Sequence, residues 1–327
     1  MKHDITTISF HASFANILGP NPTIELLLAE DYAFAHEAGV FIADRNELYV
    51  TSNWLFDEAG KQFVEISRII LSPSVTRESV QGSPVLMANG AVNHGDGILF
   101  CDQGGPDEPS GVYHTSLNSP TTAQLLISSV YDRPFNSVND VVVHTDGSIW
   151  FTDPAYGFEQ GYRPTPCLPS QVYRFQPNDL SIRAMADGFG HPNGICFSPD
   201  EKVVYVTDTD WQSGYGDTDN TKVSSIYAFD VTFYSGQPFL RSKRLFAMCD
   251  VGIPDGIKCD LHGNVYSGCG GGLNVWSAGG MLLGKILLDG GVANFCFGRS
   301  GELYLLNEQR LWRAQLSSSI RGALLGI

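Results

Sequence analysis

Positive charge is scarce in this chain. Its 327 residues carry 20 Lys and Arg against 35 Asp and Glu, a formal net charge of −15, and charged residues make up only 17% of the total. An acidic surface repels nucleic acid and anionic lipid alike, so neither a nucleic acid nor a membrane is expected as the main partner. The N-terminal MKHDITTISF lacks a basic stretch leading into a long apolar run, and no Asn-x-Ser/Thr sequon with a permitted middle residue occurs. No signal peptide is therefore read. Both absences suit a cytoplasmic protein better than a secreted one, although a mature chain stripped of its leader would read the same. The seven cysteines are odd in number and form no C-x-x-C pair. Cys101, Cys196 and Cys296 sit in apolar runs (ILFCD, GICFSPD, NFCFG) and are expected to be small buried hydrophobes rather than disulfides or metal ligands. Long linkers and low-complexity tails are missing too, so residues 1–327 read as one architecture.

What the chain does have is punctuation. Its 35 Gly and 17 Pro are scattered between short β-branched and aromatic runs, and 43% of residues are hydrophobic. That pattern marks strands and turns, with enough apolar mass for a large core. One motif, a turn signal followed by a β-rich run, occurs six times: DRNELYVTSN (44–53), HGDGILFCDQ (94–103), TDGSIWFTDP (145–154), SPDEKVVYVTDT (198–209), LHGNVYSGCG (261–270) and RSGELYLLNE (299–308). The residues aligned with Tyr49 are Leu99, Trp150, Tyr205, Tyr266 and Tyr304, at intervals of 50, 51, 55, 61 and 38. Repeats of about 40–50 residues, each with room for four short strands, are the signature of a β-propeller blade. The expected fold is all-β, a six-bladed β-propeller. Only 23 residues follow Tyr304, so an N-terminal strand, for example Ile5 to Phe10, is expected to close the last blade.

Ten to twelve residues before each marker stands an oxygen-bearing side chain: Glu37, Asn89, Asn139, Asn193, Asp255 and Asn294. In a propeller the first strand of each blade lines the central channel, so six such residues in phase would converge on the axis. Asn and Asp are poor strand formers. Placed ahead of apolar strands they cost stability unless they have a partner. Any one of these Asn-Gly or Asp-Gly pairs also reads as an ordinary turn; six in register argue for a common ligand. The donors are all oxygens, which suits a hard cation, Ca2+ first and Mg2+ with more retained water, ahead of Mn2+ or Zn2+. Two carboxylates in the set match a divalent charge.

Three segments, NSVNDVVVHTDGSIWFTDPAYG (136–157), HPNGICFSPDEKVVYVTDT (191–209) and PDGIKCDLHGNVY (254–266), resemble the gluconolactonase and senescence-marker-protein family, and within it the fungal lactonohydrolase branch. The resemblance spans residues 36 to 308. It implies a metal-dependent lactonase in which Glu37, Asn139, Asn193 and Asp255 bind the metal and Asp255 is the general base. Asn89 and Asn294 match positions near the channel mouth and are expected to contact substrate. Where some members have Arg just before the Asn-Asp pair, this chain has Asn136-Ser137-Val138, so their substrate contacts do not transfer.

A metal with an open position polarises a lactone carbonyl and stabilises the oxyanion formed as water attacks. Asp140, beside Asn139, is expected to orient the ligands from behind. His36 and His191 are alternative proton carriers. Trp54, Tyr156, Trp211 and Tyr215 are candidate pocket walls, and the segment from Trp211 to Lys222 a candidate lid. Two other readings stay open. One is phosphotriester or aryl ester hydrolysis on the same metal; the other is a non-catalytic scaffold holding structural calcium. Fold alone does not decide among them.

Overall fold

The structure, a computed structural model, describes residues 2–325. Each repeat becomes an antiparallel sheet whose strands run in sequence order from the axis outward. Blade one comprises Glu37–Ile42, Glu47–Thr51, Ile66–Ile70 and Thr76–Ser79. Blade two comprises Ala88–His94, Gly97–Asp102, Gly111–Ser116 and Ala123–Ile127. Blade three begins at Val141–Val143 and Ile149–Asp153, blade four at Pro192–Phe197 and Val203–Asp208. Blade five begins at Ile257–Cys259 and Val265–Cys269, blade six at Asn294–Phe297 and Glu302–Asn307. The six marker residues all lie in second strands and are at most 3% exposed. They feed the apolar layers between neighbouring blades, where aromatic pairs such as Trp150 on Phe197, at 5.4 Å between ring centroids, fill the wedge.

Blade six is completed from the other end of the chain, by Thr23–Ala29 pairing along Arg310–Gln315. The Ile5 to Phe10 run does something else: Thr7–Ser9 pairs on the outer edge of blade five, against Leu282–Leu287. Apolar content explains the difference. The run TIELLLA buries Ile24 against blade six, whereas Ile8 and Phe10 are exposed at the outer edge. At the far end of the channel, the segment from Ile320 to Leu325 crosses beneath the inner strands. The Ala323 N–H donates to Cys259 O at 2.9 Å, and Leu324 and Leu325 pack under blades four to six. Cys101, Cys196 and Cys296 are buried free thiols. No helix among the described residues is long and apolar enough to cross a membrane.

Candidate active site

The six oxygen-bearing residues stand at the starts of the inner strands, or one to two residues before them, and all are at most 9% exposed. Their two Asn-Gly pairs are not turns. Gly90 and Gly194 lie in inner strands without positive φ. They are glycines because the next blade presses on them. A Cβ on Gly90 would stand 2.6 Å from Asn139 O, and one on Gly194 would stand 2.6 Å from Asp255 O. The ring closes this tightly because inner strands nearest the axis have the least room.

Two devices hold the ring in register. Second-strand threonines reach across to the next blade: Thr51 Oγ1 donates to Asn89 O at 3.2 Å, Thr152 to Asn193 O at 2.6 Å and Thr207 to Asp255 O at 3.1 Å. A buried carboxylate at the end of a second strand then captures the loop leading to the ring residue of its own blade. Asp102 accepts from Leu86 and Met87 N–H, Asp153 from Asn136 and Ser137, and Asp208 from Gly190 and His191. Each pair of donors lies two to three residues before Asn89, Asn139 or Asn193. Burial pushes Asp102 up to about 6 and Asp153 up to about 7, while the backbone donors pull the other way.

Asp153→Ala strands two buried N–H groups and is expected to cost about 3 kcal/mol in unfolding free energy, read by denaturant titration. The titration also has a sign. The folded chain holds the Asp153 proton more tightly than the unfolded chain, whose aspartates titrate near about 3.9. This contribution is therefore full below about pH 4 and lost as pH rises through about 7. Asp153→Asn cannot titrate and is expected to flatten the stability curve in that window; parallel curves for the two proteins would refute it.

Five of the six ring residues (Glu37, Asn89, Asn139, Asn193 and Asp255) line the floor of a cavity of about 300 Å3. Asn294 does not line it. Its Nδ2 donates to Glu37 Oε2 at 2.6 Å from beneath, so its observed partner is the carboxylate. Glu37 and Asp255 face each other closely. Burial and the Asp255 charge push Glu37 well above the usual carboxylate range, and burial raises Asp255 to about 6 despite the opposing pull of His36. Asp255 Oδ1 and Asn139 Oδ1 are buried without a hydrogen-bond partner. Unpaired buried oxygens beside a repelling carboxylate pair are costly unless a cation or proton joins them. Among the described residues, no group of three or more His, Cys, Asp or Glu could hold a metal. The ring set is two carboxylates with neutral carboxamides, all hard oxygen donors, and it fits Ca2+ or Mg2+ better than Zn2+. Asn294→Ala frees Glu37 from its anchor. It is expected to weaken divalent-cation binding about 10- to 100-fold by calorimetric titration.

Asp140 sits behind the ring, where its Oδ2 accepts from Ile195 N–H at 3.0 Å and its Oδ1 from Val141 N–H at 2.9 Å. It thereby ties blade three to the strand carrying Asn193. His36 lines the cavity and holds Glu308 Oε1 through Nδ1 at 2.7 Å. Burial would lower its pKa, but Glu308, Glu37 and Asp255 together raise it to about 10. His191 is not among the lining residues. Its Nε2 meets Glu159 Oε1 at 2.7 Å, and Tyr156 stacks on it at 5.0 Å and 6°. Trp54 and Tyr156 line the cavity; Trp211 does not, and its indole N–H donates to Asn220 Oδ1 at 2.9 Å. The wall from that segment is Gln212 to Gly216, fastened by Gly214 N–H to Glu159 Oε2 at 2.6 Å. Gln103, Gln160, Ser52, Asn53, Val64 and Ile253 complete the lining and were not singled out by sequence. Ser52, Asn53 and Gln103 end the first and second repeats, while Gln160, Val64 and Ile253 come from loops that carry no strand periodicity to reveal them.

A family model described as the SMP-30/Gluconolactonase/LRE-like region matches residues 63–307. The chain is 31% identical to a lactonohydrolase of Aspergillus oryzae over 86% of its own length and 67% of that protein's. It is 29% identical to a gluconolactonase of Zymomonas mobilis over 58% of its own length and 53% of that protein's. The solved structure of a gluconolactonase from Xanthomonas campestris superposes with a TM-score of 0.76 at 28% identity, covering 96% of this chain and 95% of that one.

Proposed function

Because the chain belongs to the SMP-30/gluconolactonase/LRE-like family, we propose that it is a lactonase whose ring of Glu37, Asn139, Asn193 and Asp255 holds one divalent cation, calcium first. The observation that carries this reading is the pair of buried, mutually repelling carboxylates on the cavity floor, with the bare oxygens of Asp255 and Asn139 beside them. A divalent ion held there supplies Lewis acidity toward the lactone carbonyl. The residues do the rest. Asp255 takes the proton of the attacking water. Water adds to the carbonyl carbon, the adduct collapses with cleavage of the ring ester bond, and the proton taken by Asp255 passes to the departing alkoxide. His36, fixed by Glu308 at the rim, is placed to hold a proton on that side. Asn89 on the floor and Tyr156 on the wall orient the lactone's ring oxygen and its neighbours.

Wall chemistry favours a hydroxylated lactone over an aryl ester or phosphotriester. Asn53, Gln103, Gln160, Gln212 and Ser213 offer carboxamides and a hydroxyl, Trp54 and Tyr215 offer flat faces, and no Lys or Arg is among the lining residues. Such walls suit a neutral, polyhydroxylated ring. The test is a panel of lactones, from five-membered sugar lactones to macrocycles, with an aryl ester and a phosphotriester as controls, followed by proton release. Turnover of sugar lactones that disappears with chelator and returns with calcium is expected. Turnover untouched by chelator would sink the metal reading. Melting-temperature loss on chelation with no hydrolysis of any substrate would leave a scaffold.

A further inference from the structure

The carboxamides that line the cavity do not all face it the same way. Gln103 directly follows the second strand of blade two and is 5% exposed, with its backbone N–H donating to Met87 O at 2.9 Å. Its side-chain Oε1 accepts from the Tyr162 hydroxyl at 2.6 Å, which leaves Nε2 as the free end. Asn89, on the floor of the same blade, has the same sense, because its Oδ1 accepts from Gly90 N–H at 3.0 Å. Asn139 of blade three differs from both in leaving its Oδ1 bare. Gln160 is the reverse of Gln103: its Nε2 donates to Gly214 O at 3.1 Å, and Oε1 is left over. Among the described residues nothing meets Gln103 Nε2, Asn89 Nδ2 or Gln160 Oε1, and all three residues line the cavity.

The sense of the Gln103 amide is set from behind. Tyr162 is 5% exposed, and its neighbour Arg163 donates to the carbonyls of Phe135, Asn136, Gly105 and Glu108 at 2.7 to 2.9 Å. That anchor knits the loops of blades two and three together and holds the phenol against Gln103. The cavity therefore offers hydrogens from blade two and an oxygen from Gln160. Ketone and ether oxygens can only accept, and an ammonium can only donate. A hydroxyl group does both. We infer that Gln103, held with its amide hydrogens toward the cavity by Tyr162, is a specificity-determining residue that selects lactones bearing free hydroxyl groups over unsubstituted ones. This role rests on the lactonase reading and names the substituent that the site reads. Tyr162 acts through Gln103 and is a positioning residue.

The test is a ratio. With calcium saturating, kcat/KM of the full chain is measured on glucono-δ-lactone and on δ-valerolactone, the same six-membered ring without hydroxyls. The wild type is expected to favour the hydroxylated lactone. Gln103→Leu retains most of the volume and removes the donor, and it is expected to lower the ratio about 3- to 30-fold, chiefly through KM. Circular dichroism checks the fold, and Gln103→Met serves if Gln103→Leu does not fold. Tyr162→Phe is expected to lower the ratio about two- to fivefold, and to add nothing in the Gln103→Leu background. A phenol that merely packed would slow both lactones alike, so a ratio unmoved by Tyr162→Phe removes Tyr162 from this role. A ratio unchanged by loss of the Gln103 amide, or a wild type that does not distinguish the two lactones, overturns the inference and leaves the lactonase reading standing. A wild type that hydrolyses no lactone overturns that reading, and this inference with it.

Discussion

Asp255→Asn is expected to lower lactone turnover by about 10²- to 10⁴-fold at saturating calcium, the range in which a positioned proton acceptor contributes. The substitution keeps the size of the side chain and leaves one oxygen for a cation. It removes a charge and the ability to accept a proton from water. The fold should tolerate it. The backbone of Asp255 is held independently, by its N–H to Gly268 O at 2.9 Å and its C=O to Thr207 Oγ1 at 3.1 Å, and the carboxamide relieves the repulsion from Glu37. A loss of turnover is thus assignable to chemistry, provided calcium occupancy is measured alongside. Because a carboxylate shared with a dication is a weak base, the experiment is a sharp one. If calcium stays bound and turnover is unchanged, Asp255 is a ligand alone and proton transfer passes to another group. His36 lines the same cavity, but the carboxylates around it raise it to about 10, so it holds a proton and is not that acceptor.

The periodic part of this molecule is legible in its sequence, and the aperiodic part is not. Six second strands announce themselves through a turn followed by alternating apolar residues, because each must fill the same wedge between blades. The inner-strand oxygens follow at a nearly fixed offset, since the hairpin between first and second strands is short in every blade. Asn-Gly and Asp-Gly were open to reading as turns; the close approach of the next blade to Gly90 and Gly194 is a tertiary fact with no local signal. The same holds for Thr23–Ala29. Its partner strand lies almost three hundred residues on, and although the run is more apolar than Ile5 to Phe10, nothing local names that partner. Asn294 has the spacing of a channel-mouth residue, yet it turns its amide to Glu37 because the neighbouring carboxylate needs a donor. Trp211 points away, and its smaller neighbours form the wall, because the loop is fastened at Gly214. Glu308 ends the sixth repeat but carries no local sign of its role, since its partner His36 belongs to the first.

Calcium removal is expected to lower thermal stability as well as to abolish turnover, and the two losses have one cause. In the folded chain Glu37 and Asp255 are buried side by side, with Asp140 acting on both and two ring oxygens lacking partners. Without a cation the pair must take up a proton or bear its own repulsion, and each course costs folding free energy. The unfolded chain pays neither penalty, because water solvates its carboxylates. A ligand that binds only the folded state stabilises it by an amount set by its concentration relative to Kd, about 4 kcal/mol at a thousandfold excess. The melting temperature should therefore rise with the logarithm of free calcium. Glu37→Gln should remove much of that dependence, because it deletes one of the two charges that attract the ion and also relieves the repulsion in its absence. Its chelated form is accordingly expected to melt at or above the chelated wild type, and its calcium-loaded form below the calcium-loaded wild type. That crossing of order is the diagnostic. A carboxylate with no part in cation binding would shift both forms in the same direction, and equal shifts with and without calcium would remove Glu37 from the site.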